Sequence, residues 1–229
     1  MTAIVLALQA VRNRIERAAI ASGRPPADVS LLAVSKTYPA SGIQEAFTAG
    51  QQAFGESYAQ EAEKKISALA HLPLEWHFIG PIQSNKTTLI AAHFHWVHSI
   101  EREKIAIRLN AARAAHLPPL QVCIQVNVSG EESKSGVAPG QERDLARRIA
   151  QLPRLRLRGL MAIPEPASDI SLQRSRYAHV RALKDALVKE GYALDTLSMG
   201  MSDDLESAIA EGATLVRVGK AIFGRRETL

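Results

Sequence analysis

Cysteine is nearly absent from this sequence. Its 229 residues contain one, Cys123, which excludes an intramolecular disulfide framework and points to a reducing compartment, the cytoplasm. Aromatic side chains are scarce at 5%, too few for a platform on which nucleic-acid bases stack. Long apolar runs are missing. The longest is the six residues Ala3–Leu8, against the roughly 20 that a membrane-spanning helix needs. That run is also short for a signal-peptide core, and no basic segment precedes it. The proline-containing stretches (Pro25–Pro26, Pro118–Pro119, Pro164–Pro166) are too short to be linkers. No low-complexity tract interrupts the chain, so one domain over residues 1–229 is expected. A net charge of +5 suits an anionic ligand but does not argue for nucleic acid. What remains is an ordinary globular composition, 46% hydrophobic and 22% charged, long enough to bury a substantial core.

The dominant feature present is alternation. Eight short apolar runs read Leu31–Lys36, Ala53–Glu56, Glu75–Gly80, His95–Ile100, Leu120–Val128, Leu157–Ile163, Thr196–Gly200 and Leu215–Phe223. They suit a parallel sheet buried on both faces. Segments of helical period separate them. Ala59, Ala62, Ile66 and Leu69 make one stripe; Leu145, Ile149 and Leu152 another; Val180, Leu183 and Leu187 a third. A further helix precedes the first strand, with Val5, Leu8, Val11 and Ile15 on one face. Strand and helix alternating eight times points to a (β/α)8 TIM barrel with an extra N-terminal helix. A doubly wound open sheet has the same periodicity.

Polar and glycine residues gather where the proposed strands end, and in a barrel these ends converge on the face that carries active sites. Lys36 closes the most apolar strand and shares a face with Leu32 and Val34 by period-two alternation. Partial desolvation there lowers an amine's pKa and suits it to a Schiff base with a carbonyl compound; the plainer reading is a lysine reaching out to solvent. Ser198-Met199-Gly200-Met201-Ser202 leads from strand seven to a helix that Ser202 is placed to cap. Val218-Gly219-Lys220 leaves strand eight. Glycines let backbone amides approach an anion, and barrels often bind phosphate after strands seven and eight. Asp203 and Asp204 must then point away from the anion. Arg217 shares a face with Leu215 and Gly219 inside an apolar strand, so it needs either a structural carboxylate or a ligand acceptor such as a heteroaromatic nitrogen. A carbonyl-binding lysine, a phosphate cradle and a buried arginine together suggest pyridoxal 5′-phosphate. A Schiff-base aldolase without cofactor needs the first two alone.

These residues carry a resemblance. Leu32-Ala33-Val34-Ser35-Lys36-Thr37, Phe54-Gly55-Glu56, Trp76-His77-Phe78-Ile79-Gly80 with Gln83-Ser84-Asn85-Lys86, Ser133-Lys134-Ser135-Gly136, Gly159-Leu160-Met161, Leu197–Ser202, and Val216-Arg217-Val218-Gly219 with Ile222-Phe223-Gly224 stand in one order over nearly the whole chain. The sequence resembles the pyridoxal phosphate homeostasis family, relatives of the N-terminal barrel of alanine racemase. The resemblance implies a single barrel with pyridoxal phosphate on Lys36. It implies phosphate contacts from Ser198, Met199, Gly200, Met201, Ser202 and Gly219, and Arg217 near the pyridine nitrogen. His77 and Met161 would line the pocket, and Lys134 would lie at its mouth. The implied role is to hold the cofactor and supply it to recipient enzymes, with no catalytic residues assigned. Two positions depart from the family pattern. Ser57 stands where asparagine is usual, weakening or lengthening a contact to the cofactor's ring hydroxyl. Lys220 stands where threonine is usual, offering a charge in place of a hydroxyl.

The chain itself gives a reason to expect binding without turnover. An arginine beside the pyridine nitrogen disfavours the protonated ring that best stabilises a carbanion. Racemisation also needs an acid or base on each face of the α-carbon, and the sequence shows no second domain after the last strand to supply the other one. A racemase-like enzyme is the alternative. His93, His95 and His98 lack a completing ligand of metal-site spacing, so no metal is expected. Cys123 reads as a packed thiol. Arg154, Arg156 and Arg158 read as residues of the opposite barrel face. A monomer or weak homodimer is expected, with no nucleic acid and no membrane as partner.

Overall fold

The computed structural model describes residues 2–130 and 135–224. Eight parallel strands follow one another around a closed barrel: β1 (Ser30–Val34), β2 (Ala53–Glu56), β3 (Glu75–Phe78), β4 (Trp96–Ile100), β5 (Leu120–Gln125), β6 (Leu155–Met161), β7 (Thr196–Ser198) and β8 (Leu215–Val218). β8 closes the ring by pairing Leu32 with Arg217 and Ala33 with Val218. The open-sheet alternative is thereby excluded. Helices α2 (Ala40–Thr48), α3 (Ala59–Ala68), α4 (Thr87–His93), α5 (Glu103–Ala112), α6 (Glu142–Ala150), α7 (Ile170–Lys189), α8 (Leu205–Ala210) and α9 (Lys220–Phe223) follow the successive strands. Helix α1 (Ala3–Ala21) precedes them and packs against α2, α8 and α9.

Period-two alternation divides each strand between two interiors. Ala33, Phe54, Phe78, Val97, Val122, Leu160, Leu197 and Val216 face the helices and form the apolar shell with their buried stripes. In α1 that stripe is Leu8, Val11 and Ile15; full burial of each contributes at most roughly 1.5–3 kcal/mol. The residues between them point into the barrel: Leu32, Val34, His77, His98, Cys123, Met161, Ser198 and Arg217, all buried. Half of that set is polar. A barrel centre normally filled by branched apolar side chains here carries hydrogen-bonding groups.

β2 and β4 end where the apolar runs end, and the other strands stop earlier. β1 stops at Val34, two residues before Lys36, and β5 stops at Gln125. The final run divides: Leu215–Val218 is strand, while Lys220–Phe223 is helix. At the other end, β6 starts earlier, at Leu155. Apolar composition continues into the rim loops, where side chains still pack on the barrel after ladder pairing has ended. Ser202 does not cap α8. That helix begins at Leu205 with Asp204 in the cap position.

Candidate functional site

Lys36 lies in the turn that follows β1, half-buried. Because β1 pairs with both β2 and β8, this turn sits between the Glu56-Ser57 end of one and the Gly219-Lys220 end of the other. The next residue, Thr37, has φ +69°, a left-handed conformation disfavoured for a β-branched side chain. A buried polar cluster holds the turn in place. Ser35 Oγ donates to Glu56 Oε1 at 2.6 Å. Lys65 Nζ, reaching in from α3, donates to Ser35 O at 2.8 Å, to Glu56 Oε1 at 2.8 Å and to Glu61 Oε1 at 2.5 Å. The Thr37 amide donates to the same Glu61 oxygen at 2.6 Å. Burial pushes the Glu56 carboxyl above the usual range, opposed by the Lys65 ammonium. Sequence shows the i,i+4 spacing of Glu61 and Lys65, but not the tertiary reach to Glu56.

The loop after β7 is braced from beneath. Asp204 accepts from the Met201 amide at 2.6 Å and from the Tyr177 hydroxyl at 2.7 Å. Its carboxylate is turned into the loop and takes the Met201 amide, which removes that donor from an anion site there. Gly200 has φ +94°, and a Cβ there would stand 2.6 Å from the Ala208 methyl. Gly219 lies close on β1: a Cβ would stand 2.9 Å from Val34 O. The two strand ends are joined by Arg217 N–H to Gly200 O at 2.9 Å. Lys220 is exposed at the start of α9, and Ser202 is half-buried.

Arg217 is inside the barrel, 4% exposed. Its Nη1 donates to Ser198 O at 2.5 Å and Ser198 Oγ at 2.8 Å, and its Nη2 to Ala162 O at 2.9 Å. Among the described residues its hydrogen-bond acceptors are thus carbonyls and a hydroxyl, not a carboxylate. Three of the five guanidinium donors are used. Nε–H and one Nη2–H have no protein acceptor among the described residues. A buried cation with spare donors fits a neutral heteroaromatic nitrogen, while the glycines at 200 and 219 let the two strand ends pack against α8 and β1.

Several sequence expectations meet different geometry. Ser198, expected to touch phosphate, is fully buried and its hydroxyl is engaged by Arg217 and by His98 Nδ1 at 2.7 Å. Met199 packs in the apolar shell outside the barrel. His77 lies deep in the barrel and lines a cavity of about 490 Å³ at the strands' N-terminal ends, with Glu75, Trp96, Arg158 and Asp195. It is therefore apart from Lys36; period two says that it points inward, but not at which depth. Met161 is buried at the end of β6, in register with Ser198. Ser57 is buried at the end of β2, and a cavity of about 610 Å³ opens beside it on the C-terminal face, lined also by Gln83, Lys86 and Arg102. Lys134 lies outside the described residues. The three spaced histidines diverge. His93 faces Glu63, His95 Nδ1 accepts from the Trp76 amide, and His98 enters the barrel.

A parallel eight-stranded barrel with a lysine after its first strand and an arginine on its last defines a class, and the comparisons agree. Residues 6–227 match the family model for the alanine racemase N-terminal domain. The pyridoxal phosphate homeostasis protein of Pseudomonas aeruginosa is 59% identical over 227 residues, covering 99% of this chain and 97% of the relative. That of Escherichia coli K12 is 54% identical over 224 residues, covering 96% and 95%. PipY of Synechococcus elongatus, solved with PLP bound, superposes with a TM-score of 0.84 at 35% identity, covering 96% of this chain and all of that one. The chain belongs to the pyridoxal phosphate homeostasis branch of the alanine racemase N-terminal domain family.

Proposed function

We propose that this protein is a single-domain carrier of pyridoxal 5′-phosphate, holding the cofactor through Lys36 and releasing it to cofactor-dependent enzymes with little turnover of its own. The observation that carries the reading is Lys36 in its braced turn, between the two strand ends that also present Gly219 and the buried Arg217. When bound, the cofactor brings an aldehyde that condenses with a primary amine, releasing one water, and a phosphate that needs donors. Lys36 supplies the amine. The backbone at Gly200, Ser202 and Gly219–Lys220 supplies phosphate donors, the Met201 amide being taken by Asp204. Arg217 offers its spare donors to the ring nitrogen, and Ser57 and Met161 border the same mouth.

Arg217 also argues for a carrier. It donates and does not accept, so it holds the ring nitrogen in its acceptor state. That state is the weaker electron sink. Helix, strand and loop ends around Lys36 leave the turn half-exposed, which supports exchange with incoming amines. The buried Cys123 thiol, pushed up to about 12 by burial, is unreactive and consistent with a reducing cytoplasm. No helix among the described residues is long and apolar enough to cross a membrane. Exposed apolar side chains are scattered, as Leu6 on α1, Ile107 on α5 and Ile170 on α7, which supports a monomer or weak homodimer.

The test is transfer. The loaded protein is mixed with a cofactor-free pyridoxal-phosphate enzyme in the presence of a trap for free cofactor, and recovery of that enzyme's activity is followed. Recovery, with no racemisation of amino acids by the carrier alone, is the expected result. Racemisation at an enzyme-like rate, or no recovery at all, would overturn the reading.

A further inference from the structure

A hydrogen-bonded chain runs through the barrel from Arg217 to the opposite mouth, and the Glu75 carboxylate with two neutral histidine rings sets its direction. Arginine has donors and no acceptor. Arg217 Nη1 donates to Ser198 Oγ, whose hydroxyl keeps a second lone pair and its own proton. With both rings neutral and the Glu75 carboxylate accepting from His77, His98 Nδ1, 2.7 Å away, takes that proton. A neutral histidine that accepts at Nδ1 carries its proton on Nε2. His98 Nε2 lies 2.9 Å from His77 Nδ1, which accepts in turn. His77 therefore also carries its proton on Nε2, and donates it to Glu75 Oε1 at 2.6 Å.

The electrostatics agree with this assignment. Burial holds His77 below the ordinary histidine value, and holds His98 well below it with added repulsion from His77 and Arg217. The bond from His77 lowers the Glu75 carboxyl. Two neutral rings thus connect one cation to one carboxylate. The reverse polarity would require a doubly protonated His77 or a protonated Glu75. Glu75 ends the chain half-exposed in the cavity at the strands' N-terminal ends. Arg158, Asp195, Arg24 and Asp28 line that cavity too; Arg158 lies 4.8 Å over the Trp96 ring, and Trp96 stacks on His77 at 5.4 Å.

We propose that Glu75, His77, His98 and Ser198 are positioning residues for Arg217, fixing the rotation of its guanidinium so that its spare donors stay turned to the cofactor ring. Each bond in such a chain polarises the next. Among the described residues Arg217 has no carboxylate bonded to it directly, and the chain supplies one at a distance. The far mouth of the barrel thereby becomes an input to the cofactor face. This proposal rests on the cofactor reading above.

The experiment uses Glu75→Ala and Glu75→Gln, since Glu75 is half-exposed and its replacement leaves the apolar shell intact. In the ligand-free full-length protein at about pH 7, nitrogen-15 NMR of the histidine rings is expected to show both His77 and His98 as neutral Nε2–H tautomers. An Nδ1–H tautomer or a doubly protonated ring at either position would overturn the chain. Pyridoxal phosphate is then titrated into each protein. Loss of one net hydrogen bond corresponds to about fivefold weaker binding for Glu75→Ala, with a shifted absorption band. Glu75→Gln keeps an acceptor and is expected to recover most of both. Unchanged affinity and band in Glu75→Ala, or equal loss in the two variants, would overturn the proposal. If the unsubstituted protein takes up no cofactor, the cofactor reading fails instead, and the tautomer measurement still decides the chain.

Discussion

The two mouths of this barrel are built from similar residue types and put to different uses. At the N-terminal mouth, polar groups partner one another. Arg158 meets Asp195 in a forked ion pair, Gln121 accepts from Arg158 at 2.9 Å, and Glu75 closes on His77. At the C-terminal mouth, partnering is incomplete. Lys65 joins Glu56, Glu61 and Ser35 beneath the Lys36 turn but leaves Glu56 Oε2 buried without a hydrogen bond, and Asp204 pairs with Tyr177 and the Met201 amide beside Gly200. Nearby, Arg217 keeps two donors without a protein acceptor among the described residues. The difference teaches that a binding face is recognised by where hydrogen bonding is left to something else, not by how polar it is.

The comparison is most sharply broken at the brace. Lys65→Met leaves Glu56 buried without its cation, a change worth about 3–5 kcal/mol, and frees the Lys36 turn. Urea denaturation is expected to show that loss, with the Lys65→Met, Glu56→Gln double variant recovering much of it. A single variant as stable as the parent would mean that the cluster does not hold the turn. Next comes Arg217→Met, which strips the donor from Ser198 O, Ser198 Oγ and Ala162 O in the barrel centre. About 2–3 kcal/mol of destabilisation is expected, together with weaker cofactor binding; full stability in this variant would show that the interior does not depend on it.

Acidification probes the chain between the mouths. His77 and His98 have folded-state pKa values below the unfolded value of 6.5. Below about pH 6.5 the unfolded chain therefore binds more protons than the folded one, and stability falls as pH falls toward the folded values. Each histidine contributes a slope approaching about 1.4 kcal/mol per pH unit. The raised Glu56 carboxyl works in the opposite sense above its ordinary 4.5 and offsets part of it. Denaturation midpoints at about pH 7.5 and 5.5 measure the net, and a midpoint that rises on acidification would contradict the neutral assignment. The smallest effect is expected for Asp195→Asn at the N-terminal mouth. Its pair with Arg158 is partly solvated, so under about 1 kcal/mol is expected, with cofactor affinity unchanged; a clear loss of affinity would show that the N-terminal mouth reaches the cofactor face by a route other than the Glu75 chain.

How much of this was legible in sequence follows from which forces are local. Strand and helix alternation is local, and all eight strands were readable from it, as was the convergence of Lys36, Gly200, Arg217 and Gly219 on neighbouring strand ends. Strand ends were not, because apolar side chains such as Ile222 pack on after the ladder stops. Depth along the barrel was not either: period two sends both His77 and Lys36 inward, yet they lie toward opposite mouths. The partners of Arg217 were open in sequence because they include two backbone carbonyls, which every residue has. Glu56, Lys65, His98 and Glu75 carried no signal as a group, since their contacts join residues from different elements.

One measurement tests Lys36 as the cofactor anchor most directly. The purified protein is titrated with pyridoxal phosphate under visible absorption, reduced with borohydride, and mapped by peptide mass. A yellow band that bleaches on reduction, with the pyridoxyl mass on Lys36, is the predicted result. A protein that stays colourless, or carries the mass on another lysine, would contradict it.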